Sequence, residues 1–419
     1  MIAGFSLLFG AMAHSDEEIR GQWGEWQTRN MVSAAVSLPA TIDLETGQGV
    51  RWRVPLGTQC YASPVVAGAK VFIGTNNDRP RDPRHTGDRS VLLCLNTLDG
   101  SLCWQLVVPK LTDDRYKDWP HVGICSPVTV VGERVYAVSS RGDVLCLDIN
   151  GMADGNDGPF REEAVFCVPA GMDPIPPNEI SADILWAFSM PDNAGTYPHD
   201  SAHTSPLVLG DFLYLNSGNG VDNTHAAIRC PDGPSLIVLD RYTGRLVCQD
   251  TEGIGPTIFH CTWSSPAFGT VAGTPLVVFG GGNGVCYAFE PFVPDPAEAG
   301  VRALRRRWRF DGDPTAPKVD VNRYLGNRAE SPSSINSMPV LHEKRLYLTL
   351  GGDIWWGKTQ SWLKCIDPHG EGDITGTAER WSYPMSDHCS STPAVAAGMV
   401  FVADSGKTLH CVDAQNGAA

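Results

Sequence analysis

Three observations predict an all-β fold, a β-propeller of four-stranded antiparallel blades. First, one phrase recurs: a small polar turn, an alternating strand, a Gly turn and a second alternating strand. It stands at Tyr61–Thr75, Cys125–Ser140, Thr204–Gly218 and Ser264–Gly282, with weaker copies at Ser337–Gly352 and Ser391–Gly406. Second, each copy is followed by two more runs of period-2 alternation, joined by Gly, Asn and Asp turns. Third, no long segment has helical periodicity, which argues against TIM-barrel and Rossmann folds. A lone four-stranded sheet cannot bury both faces. Sheets stacked around an axis seal each other and leave only short edges. About six blades are recognisable.

The elements follow in order. Gly47–Gly57, with Trp52, reads as a lone outer strand of the kind that completes the last blade of a closed ring. The first unit runs through Val71–Thr75 and Ser90–Leu106, whose last strand carries Trp104. The second continues at Gly142–Gly151 and, after an insertion, closes around Trp186. Ser235–Asp250 continues the third, and Gly284–Phe292 with Trp308 the fourth. Ser361–Gly372 with Trp381 continues the fifth, and the sixth stops at "TLHCVDAQNGAA". The propeller domain is therefore assigned to 47–419 with an incomplete last blade, after an N-terminal extension at 14–46.

The 419 residues carry a net charge of −15 with a pI near 5.1, which argues against nucleic acid and anionic membrane as partners. A hydrophobic content of 42% suits a chain that buries a core. No apolar run reaches the length of about 18 residues that a spanning helix needs, so no transmembrane segment is expected. Residues 1–13 differ from the rest. A short apolar stretch ends in Ala11-Met12-Ala13, resembling a secretory signal peptide without its basic start, and predicts a periplasmic or secreted protein.

The turn phrases "VLDRYTGRLVC" and "CLNTLDGSLCW" resemble the motif Ala-x-Asp-x-x-Thr-Gly-Lys-x-x-Trp of quinoprotein (PQQ-type) propellers, a secreted bacterial family. Asp240, Thr243, Gly244 and Arg245 match in the third unit, where Cys248 replaces Trp. Asn96, Gly100 and Trp104 match in the first, and Asp148, Asp367 and Asp413 hold the Asp position elsewhere. The resemblance runs from about Trp52 onward and implies that each Trp stacks on the neighbouring blade over a Gly that permits the turn. It also implies a parent of about seven or eight blades, from which this chain looks C-terminally truncated. Cys94, Cys146, Cys365 and Cys411 stand at the motif's Ala position, so they are expected to pack as free thiols, too far apart to bridge.

The loops leading into each first strand should gather near the axis. They hold His121, His199, His203, His260 and His388, with Cys60, Cys125, Cys261 and Cys389 close by. Converging imidazoles and thiols can bind a metal or face a redox cofactor; they can equally hydrogen-bond the loops and line a wet channel. Trp263 or Trp119 could stack on a ligand, and Arg328 could meet a cofactor carboxylate. The candidate ligand-binding set is thus His121, His199, His203, His260, Trp263, Arg328 and His388. Asp154, Asn156 and Asp157, in an Asx- and Gly-rich stretch, offer oxygen ligands for Ca²⁺ or form a surface turn. Arg305–Arg307 reads as a solvated strand edge.

No catalytic residue is assigned, because neither a Gly-x-Ser-x-Gly elbow nor a Gly-x-x-x-x-Gly-Lys loop is present. The resemblance implies pyrroloquinoline quinone and calcium as candidate cofactors. The family's dehydrogenases, however, carry an adjacent Cys-Cys pair, and this sequence has none. The sequence therefore reads first as an exported binding or scaffold module that takes a protein, peptide or polymer on its axial face. The alternatives are a quinoprotein-like oxidoreductase with quinone and calcium, and a metal-binding propeller that uses the axial His and Cys groups.

Overall fold

The computed structural model describes residues 19–20, 41–111 and 119–419. The leader-like segment 1–13 and most of the extension 14–46 lie outside them. Among the described residues, six largely antiparallel sheets follow one another along the chain, each built in sequence order. The first blade is Val65–Ala67, Lys70–Asn76, Arg89–Asn96 and Leu102–Pro109. The second is Thr129–Val131, Arg134–Val138, Asp143–Asp148 and Ile184–Ser189, with Ile19–Arg20 paired to its first strand. The third is Leu207–Leu209, Phe212–Asn216, Leu236–Asp240 and Leu246–Gln249. The fourth is Ala267–Val271, Thr274–Gly280, Val285–Phe289 and Arg306–Asp311. The fifth is Val340–His342, Arg345–Gly352, Ser361–Ile366 and Glu379–Pro384. The sixth has three strands, Ala394–Ala396, Met399–Ala403 and Leu409–Asp413. Among the described residues, helix is confined to single turns such as Met190–Ala194.

The apolar cores lie between consecutive blades, as a radial stack requires. Leu92 and Trp104 of the first blade share a core with Val135 and Leu145 of the second. Tyr136 and Trp186 share the next with Leu213 and Ile237. The series continues from third to fourth blade, fourth to fifth, and fifth to sixth. On the far side of the first blade, Val54 and Leu56 cover Ile73, Leu93 and Val107.

Tryptophan locks tie the blades at their outer rim. Trp52 Nε1 donates to Thr97 O at 2.9 Å, Trp104 to Ile149 O at 2.9 Å, Trp186 to Arg241 O at 3.1 Å and Trp381 to Ala414 O at 3.3 Å. Each ring lies against a left-handed glycine. At Gly244 (φ 70°) an added Cβ would come within 2.5 Å of the Trp186 ring, so no other residue fits without displacing it. Trp308 is fully buried, but its Nε1 has no partner.

Two-residue straps, not legible in the sequence, add to these locks. Arg302–Ala303, inserted in the fourth blade, pairs in parallel with the outer strand of the third. Gly372–Asp373, inserted in the fifth, does the same to the fourth. The basic run Arg305–Arg307 pairs with Glu290, Glu252 and Glu371 along this rim.

All thirteen cysteines are free thiols. Cys94, Cys146 and Cys365 are fully buried, and in each case the ladder shifts register just after them. Cys411 departs from the expected packing role. It is exposed, because no described residue covers that face of Leu409–Asp413. The expected clasp segment has no regular secondary structure at 50–56; it docks through Trp52, but among the described residues it forms no ladder with the sixth blade.

In such a blade, the loop leading into the first strand and the loop joining the second to the third open at the same end. Side chains from both kinds of loop therefore meet on one face.

Candidate metal centre on the axial face

His199 leads into the third blade and His260 into the fourth, while His225 lies in the loop between the second and third strands of the third blade. One ring nitrogen from each of the three lies within 4.8 Å of the others. The ring centroids are 4.6 Å apart for His199 and His260, 4.8 Å for His199 and His225, and 5.2 Å for His225 and His260. The isolated bridges Pro198–Asn219 and Gly220–Cys261 tie these loops together. Gly220 is needed for this approach, since a Cβ there would sit 2.7 Å from His199 Cβ and 2.9 Å from Cys261 Sγ.

The hydrogen bonds fix the tautomers. His199 Nδ1 donates to Val221 O at 2.7 Å, and His260 Nδ1 donates to Asp353 Oδ2 at 2.8 Å. Both Nε2 atoms are buried and lack a hydrogen-bond partner. Asp353 is anchored in turn, its Oδ1 accepting from Trp355 N at 3.0 Å and Trp356 N at 2.9 Å. Burial raises the Asp353 carboxyl, but its bond to His260 and the backbone N–H groups hold it below its ordinary value. Burial, reinforced by the neighbouring imidazoles, pushes His199 down to about 3 and also lowers His225. Burial alone brings His203 down to about 4. His199 and His225 are thus held in the neutral form that a metal requires.

Aromatic rings wall the cluster. Trp263 stands 5.1 Å from His260, 5.5 Å from His203 and 5.8 Å from Trp355; Trp356 stands 4.7 Å from His225. Trp355 is half exposed and marks the solvent side. Asp200 lies beside the cluster, with burial raising its carboxyl above the ordinary value.

Of the residues singled out in the sequence, the fold brings together His199, His203, His260 and Trp263. His121 binds Asp78 at 3.1 Å and His388 binds Asp387 at 2.7 Å, and neither joins the cluster. Arg328 is not available to a cofactor carboxylate. Its guanidinium donates to the carbonyls of Ile354, Trp355 and Gly357 and staples the Trp loop. Asn156 Oδ1 accepts from the Arg161 guanidinium at 2.5 Å, and Asp154 accepts from Asn150 at 2.9 Å, so a cation already holds this surface turn. The axial thiols bond backbone: Cys60 to Gly74 O, Cys261 to Gly218 O and Cys389 to Ala403 O. Sequence reasoning missed His225, Asp353, Trp355 and Trp356. The signal available was the adjacent Trp-Trp and the lone His in two loops that open on the same face.

Quinone with calcium needs oxygen donors for the ion, an open indole face and a free cation. Here three imidazole nitrogens dominate, with one carboxylate, Asp200, beside them; Trp263 is hemmed by three rings, and Arg328 donates to three backbone carbonyls. The residues present do not fit that group.

Residues 31–155 match the family described as outer membrane protein assembly factor BamB. That match covers 125 of the 419 residues, and the blade array described above carries the same all-β, propeller-like repeat architecture on to the end of the sequence. Among solved structures it is similar to BamB from Moraxella catarrhalis, at 11% identity over 85% of this chain and 70% of that one, with a TM-score of 0.44. It is similar to a quinohemoprotein alcohol dehydrogenase from Comamonas testosteroni, at 11% identity over 88% and 67%, with a TM-score of 0.39. It is also similar to the computationally designed Ika8 protein, at 11% identity over 88% and 75%, with a TM-score of 0.45. No curated protein matches the sequence.

Proposed function

We propose that the chain is a transition-metal-binding propeller whose axial face holds a divalent first-row ion on His199, His225 and His260. The observation that carries this reading is the pair of buried Nε2 atoms on His199 and His260 that make no hydrogen bond and meet a third imidazole. Leaving a buried polar atom unsatisfied costs about 1–3 kcal/mol, so two at one point call for a shared partner. Imidazole donors favour zinc, copper, iron or nickel over calcium or magnesium. The His260–Asp353 bond supplies the carboxylate–imidazole support common to metal-ligating histidines. Around the ion, the face serves as a binding or scaffold surface for a protein, peptide or polymer. The match of residues 31–155 to an assembly-factor family supports a protein ligand. The leader-like start supports action in the periplasm or outside the cell.

The test is elemental analysis of protein purified without chelator, followed by calorimetric titration of Zn²⁺ into stripped protein. The reading predicts one ion per chain and at least about tenfold weaker binding for His260→Ala. Metal-free protein that takes up no Zn²⁺ would rule it out.

A further inference from the structure

We infer that Asp200 is the fourth ligand, so that the ion is enclosed by three imidazoles and one carboxylate. This rests on the metal-binding reading above. Asp200 Oδ1 lies 3.4 Å from His199 Nε2. That is too long for a charge-assisted hydrogen bond, which runs about 2.7–2.9 Å. Two ligands that each sit about 2.0–2.1 Å from a tetrahedral ion stand about 3.4 Å apart. That one pair has the edge length of a coordination tetrahedron; the Asp200 carboxylate stands outside the tighter three-imidazole group and has to turn in to complete the other edges.

The chain holds Asp200 there deliberately. Its backbone is left-handed (φ 60°), a conformation that costs a non-glycine residue stability and gathers at functional sites. Its peptide carbonyl is pinned by Trp119 N at 3.0 Å, while its carboxylate faces His199 Nε2 and lies in the field of Lys110. The other donors nearby are occupied. Asp353 uses one oxygen on His260 and the other on two backbone N–H groups. The Cys261 thiol donates to Gly218 O at 3.2 Å, and burial pushes its pKa up, away from the thiolate that a metal needs.

Charge agrees with this assignment. A divalent ion in a partly dry site needs two negative charges nearby, and Asp200 as ligand with Asp353 behind His260 supply them. Four protein ligands make a closed, structural site rather than one that keeps a place for water or substrate. The ion then braces the face: His199, Asp200 and His225 come from the third blade, His260 from the fourth, and Asp353 supports from the fifth.

Co²⁺-loaded protein tests this, because four-coordinate Co²⁺ absorbs strongly in the visible and an open position takes up azide. Wild type should bind one Co²⁺ with a strong band that azide leaves unchanged. Asp200→Ala should bind at least about tenfold more weakly and gain an azide-dependent band. Asp200→Asn, with far-ultraviolet circular dichroism as a folding control, should show the same weakening if the Ala variant does not fold. Wild type that binds Co²⁺ but shifts with azide, or Asp200 variants that bind Co²⁺ as wild type does, would overturn the inference while leaving the three-imidazole site standing. Wild type that takes up no Co²⁺ would overturn both.

Discussion

Asp353 shows how a carboxylate can orient an imidazole cluster that it does not itself join. It selects the His260 tautomer and aims Nε2 at the other rings, while two backbone N–H groups stop it from turning away. Asp353→Asn should therefore lower metal affinity about 10–100-fold with little change in fold, as read by competition with a chelator of known affinity. Asp183 gives a second prediction at this scale. Its Oδ2 accepts from Asp157 N at 2.8 Å, its Oδ1 is buried without a partner, and burial raises its pKa to about 6. A raised carboxyl pKa means that the folded state binds the proton more tightly than the unfolded chain. Its stabilising contribution is thus full below about pH 3.8 and is lost as pH rises through about 6. Asp183→Asn, neutral at every pH, should gain in urea midpoint relative to wild type between pH 4 and pH 7. A difference that stays flat over that range would contradict the assignment. At the residue scale the sequence was least informative. His199 and His260 could be named because they precede recognisable first strands. His225 and Asp353 could not, because they sit in loops whose length and course no periodicity describes.

Between single residues and the whole lie the tryptophan locks. Trp104 and Trp308 are equally buried, but only Trp104 has a carbonyl for its indole N–H. Trp104→Phe gives up both a hydrogen bond and packing, whereas Trp308→Phe removes a buried polar atom that had no partner. The first should cost roughly 1–2 kcal/mol more than the second in equilibrium unfolding. Gly244→Ala should cost about 2–3 kcal/mol, since the new Cβ meets the Trp186 ring and the backbone is left-handed. These locks were legible before the structure. The Asp-x-x-x-Gly turn and the following Trp are local in sequence, so their geometry is written in consecutive residues. The parallel straps Arg302–Ala303 and Gly372–Asp373 were not, because a two-residue strand carries no alternation to read.

For the molecule as a whole, the repeat gave the architecture: stacked sheets whose apolar faces close on each other in sequence order. It did not give the chemistry, because every blade shares the repeat and only the insertions differ. The imidazole cluster arises where insertions of the third and fifth blades lean over the first-strand loops of the third and fourth. Metal binding should thus stabilise this part of the propeller. Removing the ion should lower the melting temperature, and adding Zn²⁺ in excess should restore it, by an amount set by the ratio of free metal to its dissociation constant. The most direct check is X-ray absorption at the zinc edge on the protein loaded with one equivalent. The account predicts a shell of nitrogen and oxygen near 2.0–2.1 Å with the outer-shell scattering of about three imidazoles. A spectrum of fully hydrated zinc, or one with sulfur at about 2.3 Å, would contradict it.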